Sequence, residues 1–394
     1  MNHTISRQGK NKYLFLIIMV FIVACLETDI YLPAFPDMMR YFNTTEAVIQ
    51  SLLSWNFIGI CLSGPFYGPL SDSFGRKKIL ISAMGLFSLG SIGTVFAKHI
   101  EWMLVWRTIQ GLGCGGCFTI GTAIIYDKFH QEDATKAIND LNCIIPVIMA
   151  IAPLIGGYLN IHYGFRSNFS VIAVFSLLTL LVCILKLEET LVPEKRALFD
   201  IRTILSDFAK AMTCFKFWAP TIIVSCIFAG YLSYISYTSL LFVNNLGVSR
   251  ALYPVYQASV LISFVCASLS ANKIINRKGV EELKRYGLMF LSLGGVIFMI
   301  SAGFYPEHYN LFHIGMVIYS FGAGWLIGPF FTESMEALPN IKGVTASLVT
   351  SFRLLFTAVF IGVISALFDG SILPLVMGFA FLFSFGLIII ALIQ

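Results

Sequence analysis

Apolar runs of about twenty residues recur along the chain and are separated by short polar segments. This pattern predicts twelve membrane-crossing helices, at about 13–34, 46–68, 79–97, 102–126, 139–161, 168–186, 216–243, 251–273, 286–304, 310–332, 343–368 and 371–393. The run 13–34 is too long for the apolar part of a cleavable leader and lacks a cleavage site, so it reads as the first span. The longest polar segment, Lys186–Lys216, holds six cations and Pro193, with apolar residues at Leu198, Ile201, Ile204, Leu205 and Phe208. That spacing predicts a short amphipathic helix lying on the membrane surface. It divides the chain into a six-helix bundle over 1–186, a linker over 187–215 and a second six-helix bundle over 216–394.

Composition agrees with a membrane solvent. Of 394 residues, 57% are hydrophobic and 12% charged, and the mean hydropathy is +0.83. Soluble domains carry about 25% charged residues. The nine cysteines show no scaffold spacing. Cys114 and Cys117 form a C-x-x-C inside the glycine-rich run GLGCGGC, where small residues serve close helix packing better than redox or metal chemistry.

The polar segments are sharply asymmetric. Of 26 lysines and arginines, 20 fall in the N-terminal tail and the even-numbered loops, 4 fall in the alternate loops, and Arg107 and Arg353 lie within spans. The positive-inside rule then places both termini in the cytoplasm. Topology accounts for the net charge of +5, so no nucleic-acid partner is expected.

Residues Gly68–Leu80, GPLSDSFGRKKIL, form a polar insertion on the cytoplasmic side between spans 2 and 3. Gly68, Leu70, Asp72, Gly75, Arg76, Lys77 and Leu80 match the pattern G-x-L-x-D-x-x-G-R-K/R-x-x-L, and this loop resembles that of the major facilitator superfamily. The counterpart between spans 8 and 9, Ala271–Gly279, keeps the basic end without the acid. Arg107, Gln110, Gly111 and Gly113 fit R-x-x-Q-G-x-G. Pro153, Gly156 and Gly157 resemble the antiporter pattern G-P-x-x-G-G, with Ala152 in place of the first glycine. Asp29, Tyr31, Leu32, Pro33, Ala34 and Pro36 are similar to the D-x-Y-L-P-A-x-P signature of the Bcr/CflA drug:proton antiporters, and Gly164, Phe165, Arg166 and Phe169 resemble that family's G-W-R-x-x-F.

The resemblance implies an all-α membrane protein with two pseudo-symmetric six-helix bundles. It implies a small-molecule exporter in a bacterial inner membrane, with the proton as coupling ion, no other cofactor, and a monomeric state. It assigns Asp29 and Arg107 to coupling. It also places Asp72 near the start of span 11 and pairs Arg76 with Asp127, as a latch holding the halves in the outward-open state. A solvated turn that only sets topology is the plainer reading of that loop.

Glu27, Asp29 and Arg107 lie well within spans, where each costs ~2.5–3.5 kcal/mol unless paired or wetted. Glu27 lies outside the family pattern. Residues two apart on a helix point about 200° apart, so Glu27 and Asp29 face different ways. A neighbouring arginine favours an ionised carboxylate and burial disfavours it. A carboxylate balanced between the two binds and releases a proton, and a substrate sharing that site must alternate with the proton. Either acid can hold the proton, and a static Glu/Asp–Arg pair joining spans 1 and 4 is the alternative. Arg353 either meets the cavity or reaches toward the cytoplasmic face. Tyr31, Asn56, Asn142, Tyr231, Tyr234, Gln257, Tyr319 and Trp325 are cavity candidates, each equally readable as helix packing, with Tyr231 and Tyr234 sharing a face. Aromatic walls suit flat lipophilic or cationic cargo.

No Cys/His cluster points to a metal site, and no phosphate-binding loop points to ATP. No clustered catalytic constellation is present, so an enzyme is not expected. Nor is any segment long enough for the signalling domain of a receptor. The expected function is proton-coupled antiport exporting drugs or xenobiotics. The alternatives are export of an endogenous metabolite such as a siderophore, and substrate–proton symport.

Overall fold

A computed structural model describes residues 7–129, 131–191, 201–338 and 342–393. Every regular element among the described residues is helical. The helices are α1 (Arg7–Asp29), α2 (Phe35–Phe42), α3 (Glu46–Phe74), α4 (Arg76–Phe96), α5 (Ile100–Lys128), α6 (Gln131–Tyr163), α7 (Arg166–Lys186) and α8 (Ile201–Met212). They continue with α9 (Phe215–Leu240), α10 (Tyr253–Lys278), α11 (Val280–Phe304), α12 (Tyr309–Glu336), α13 (Lys342–Ala366) and α14 (Leu373–Ile393). Ten stretches are long and apolar enough to cross a bilayer. With α6 (33 residues) and α14 (21 residues) they make up the twelve expected spans.

Apolar side chains divide between two faces. On α7, Val174, Leu177, Leu178, Leu181 and Leu185 form an exposed stripe, while Phe169, Ile172, Ala173 and Cys183 are buried. In a bilayer the first face meets lipid, so both faces are apolar and no amphipathic period shows.

Two sets of six spans pack among themselves. In the first, α3 and α4 pack on α5, and α1 on α5, α6 and α7; in the second, α10 and α11 pack on α12, and α9 on α12 and α14. The sets meet through α3 against α13 and α6 against α10. The turns opening α4 and α11 repeat one geometry: Gly75 has φ 100° and Gly279 φ 88°, a region costly for any residue with a Cβ. The faint sequence repeat between these loops is therefore a structural one. Close helix approach also repeats. A Cβ on Gly113 would lie 2.3 Å from the Phe87 nitrogen, and one on Gly322 would lie 2.4 Å from the Leu291 nitrogen.

The first span departs from the expectation of one continuous helix. It runs as α1 to Asp29, a 3-10 turn over Leu32–Ala34, and α2 from Phe35. Pro33 and Pro36 supply no N–H and disfavour helical geometry in the residues before them, so the hydrogen-bond ladder stops where they begin. Helix α12 runs past the expected end of its span at 332 and takes in Glu333 and Glu336, and Glu333 pairs with Lys284 at 2.6 Å. The amphipathic helix is present as α8, with Leu205 and Met212 exposed and Ala211 buried. Its expected first apolar position, Leu198, lies outside the described residues.

Candidate functional site

The break in the first span positions the site. Irregular backbone at membrane depth is tolerated only where protein or a wet cavity satisfies it. Here α6 presses on the break. A Cβ on Gly156 would lie 1.7 Å from the Ile30 carbonyl oxygen, and one on Gly157 would lie 2.3 Å from the Pro254 ring of α10. Pro153 is buried one turn earlier. The antiporter-like motif therefore lets α6 touch both the break and the second half.

Glu27 and Arg107 are both fully buried and pair at 2.5 Å. Arg107 Nη1 also donates to Gln110 Oε1 at 2.5 Å and Nη2 to Tyr31 Oη at 3.0 Å, with the guanidinium 4.6 Å from the Tyr31 ring centre. Gln110 Nε2 in turn donates to Ser91 Oγ at 2.8 Å. Asn56 Nδ2 donates to Glu27 Oε2 and to the Arg107 carbonyl, each at 3.3 Å. Glu27, Tyr31, Asn56 and Arg107 thus form one dry cluster, as ion pairs in low dielectric require. Gln110 belongs to it too. Its motif was visible in sequence, but its part in holding Arg107 was not.

Of the two acids, Glu27 is the one that pairs with Arg107, and Asp29, assigned to coupling by the resemblance, does not. Asp29 is 1% exposed, its Oδ2 accepts from Thr28 at 3.1 Å, and its Oδ1 has no partner. The 3-10 turn just after it, Leu32–Ala34, packs against α9 of the other half. The two acids diverge because they sit 200° apart at the end of α1.

The remaining cavity candidates separate. Gln257 is 2% exposed with neither amide atom partnered. Tyr231 and Tyr234 do not share a partner surface: Tyr231 packs on Phe264 with ring centres 5.9 Å apart, while Tyr234 Oη bonds His313 Nδ1 at 2.8 Å. A three-residue step leaves about 60° between them, enough to aim them at different helices. Tyr319 and Trp325 belong to the packing of the second half. Tyr319 donates to the Ile227 carbonyl at 3.2 Å and packs on Phe379, while Trp325 Nε1 donates to Ser270 Oγ at 2.9 Å and packs on Phe290 and Phe321. Span periodicity could not tell these faces apart, because both are apolar. The side chain of Asn142 lies outside the described residues. Arg353 sits over the Phe228 ring at 4.4 Å, and its Nε has no hydrogen-bond partner.

At the end bearing the basic loops, Gly75 starts the turn and Gly68 faces open space apart from Thr119. Arg76 pairs with Asp72 at 2.6 Å and, as the resemblance implies, with Asp127 at 3.0 Å. Glu189 and Thr190 were missed. Glu189 Oε1 accepts from the Arg76 backbone N–H at 2.9 Å, and Thr190 Oγ1 donates to Asp127 at 3.1 Å. The start of α13, where Asp72 was expected, includes side chains at 342–344 outside the described residues.

At the opposite end the contacts cross between the halves. Arg250 pairs with Asp37 at 2.5 Å, and Asp37 also accepts from Asn160 at 2.7 Å. Ser54 Oγ donates to the Ala358 carbonyl at 2.9 Å, and Ser365 Oγ donates to Gln50 Oε1. No span periodicity marks these residues. No group of three or more metal-ligating side chains occurs among the described residues.

Comparison with known proteins agrees with this architecture. Residues 17–361 match the Major Facilitator Superfamily. The chain is 26% identical over 343 residues to a multidrug resistance protein, MdtL, of Shewanella sp. (strain ANA-3), covering 86% of this chain and 85% of that one. It is 24% identical over 359 residues to a chloramphenicol resistance protein of Pseudomonas aeruginosa, covering 90% and 82%. The fold of a D-xylose-proton symporter superposes with a TM-score of 0.75 at 15% identity over 96% and 97% of the two chains. With its twelve spans, broken first helix and matched residues, the chain belongs to the Major Facilitator Superfamily of multi-pass membrane transporters, and it is not an enzyme.

Proposed function

We propose that this transporter exports small organic molecules of the drug or xenobiotic type from the cytoplasm in exchange for protons. The reading rests on one observation: two carboxylates and one arginine are buried at the break of the first span, and the arginine is committed to Glu27. Asp29 is left as the excess acid. A buried carboxylate without a counter-charge is stable only when neutral, so Asp29 keeps a proton while dry. It gives the proton up when water or a polar substrate reaches its free oxygen. Substrate and proton then occupy Asp29 in turn, and alternating access makes that exchange vectorial. The multidrug and chloramphenicol resistance names of the relatives support the substrate type. The positive-inside pattern supports cytoplasmic termini in a bacterial inner membrane.

The test is proton release from purified protein on adding chloramphenicol. Wild type releases protons into weak buffer; Asp29→Asn binds the drug and releases none. Glu27→Gln leaves Arg107 buried beside a neutral amide and lowers stability by ~3–5 kcal/mol, read as a fall in thermal midpoint. Undiminished proton release from Asp29→Asn removes the coupling assignment.

A further inference from the structure

The two arginines within the spans have opposite surroundings. Arg107 donates to Glu27, Gln110 and Tyr31 and is fully buried. Arg353 has no carboxylate, amide or carbonyl accepting from its guanidinium among the described residues. Its Nε is covered and unpartnered, the side chain is only partly buried, and the guanidinium stacks on the Phe228 ring at 4.4 Å. A guanidinium carries five donors. Stacking on an aromatic face fixes its plane without using any of them. Arg353 is therefore held in place and left with its donors free.

Its position relates it to the acid on the other half. Arg353 of α13 sits on Phe228 of α9, and the turn Leu32–Ala34, three residues past Asp29, packs against the same helix. Helix α9 thus touches both the free cation of the second half and the segment that follows the unpaired carboxylate of the first. Gln257 adds an amide with both ends free in the second half.

We propose that Arg353 is the anion-binding group of the substrate site, selecting organic molecules that carry a carboxylate or comparable anion, with zwitterions matched best because Asp29 receives their basic group. This deepens the efflux reading and rests on it. A planar carboxylate takes two parallel hydrogen bonds from the free fork, and binding it also neutralises an unpaired cation within the membrane.

The experiment measures flux in proteoliposomes containing the full chain, with three probes: norfloxacin, a zwitterion with a free carboxylate; its ethyl ester, which blocks that carboxylate; and chloramphenicol, which has none. Arg353→Gln is expected to raise KM for norfloxacin about tenfold, the scale of one lost charge-assisted bond. The ester and chloramphenicol should stay within about twofold. Arg353→Lys keeps the charge and recovers part of the norfloxacin loss without the bidentate geometry. An equal loss for all three probes, or unchanged KM for norfloxacin, overturns the assignment while leaving efflux standing. A wild type that moves none of the three overturns the efflux reading, and the assignment falls with it.

Discussion

The two ends of the molecule hold their charges differently. At the basic-loop end, Arg76 gathers Asp72 and Asp127 of the first half and Glu189 just past its last helix, and Lys284 joins Glu281 and Glu333 within the second. At the other end, Arg250–Asp37, Ser54–Ala358 and Ser365–Gln50 tie one half to the other. The first set stiffens each bundle as a body; the second closes the two bodies together. Contacts that must break during transport belong to the second kind.

The most damaging way to break this contrast is Gly156→Val. Its Cβ alone would lie 1.7 Å from the Ile30 carbonyl oxygen, and two further methyls follow it. Overpacking of this kind costs ~1–3 kcal/mol, and here it falls on the seam between α6 and the broken span. Flux is expected to vanish, with a cysteine introduced at Gln50 becoming reactive to thiol reagents. Next is Arg76→Gln, which strips the hub inside the first half. Its thermal midpoint falls by an amount equivalent to ~1–3 kcal/mol, while labelling at position 50 stays at the wild-type rate. Increased labelling there would show that the hub also serves closure.

Asp37→Ala should do the reverse. The pair is partly exposed and worth ~0.5–1 kcal/mol, so stability barely changes. Labelling at position 50 rises by about two- to fivefold, following the shift in the open population. Unchanged labelling would mean the ion pair does not hold that end. The smallest stability effect belongs to Asp72→Asn, an i,i+4 pair worth ~0.3–0.5 kcal/mol. The latch proposed from its loop motif nevertheless predicts slower turnover in flux assays with equilibrium binding intact. Turnover equal to wild type removes the latch and leaves a topological turn.

Much of this molecule was legible in the chain because membrane solvent imposes simple rules. Span lengths follow bilayer thickness, and loop charges follow insertion. The turn at Gly75 was readable because its residues lie in one dense motif, and the Arg76–Asp127 pair because that motif resembles the superfamily's. The site was less legible. Pro33 stood in plain view inside the run 13–34 and Pro36 just beyond it, yet hydropathy counted the run as one helix. Tyr319 and Trp325 resembled cavity residues because a lipid-solvated helix is apolar all round, and nothing in its period says which stripe faces a neighbour. Arg353 was left between two positions for the same reason.

The sequence by itself determined twelve helices, their alternation, the basic side and the presence of four ionisable groups in or near the membrane core, because each follows from the cost of placing polar atoms in hydrocarbon. Only the tertiary structure decided which groups are partners. Glu27 took Arg107 and left Asp29 unpaired because their positions at the end of α1 point them to different helices. Arg353 was left free because the side chain that reaches it from α9 is an aromatic ring with no acceptor atom. Pairing depends on the angular placement of helices around one another, a long-range property that no local pattern carries.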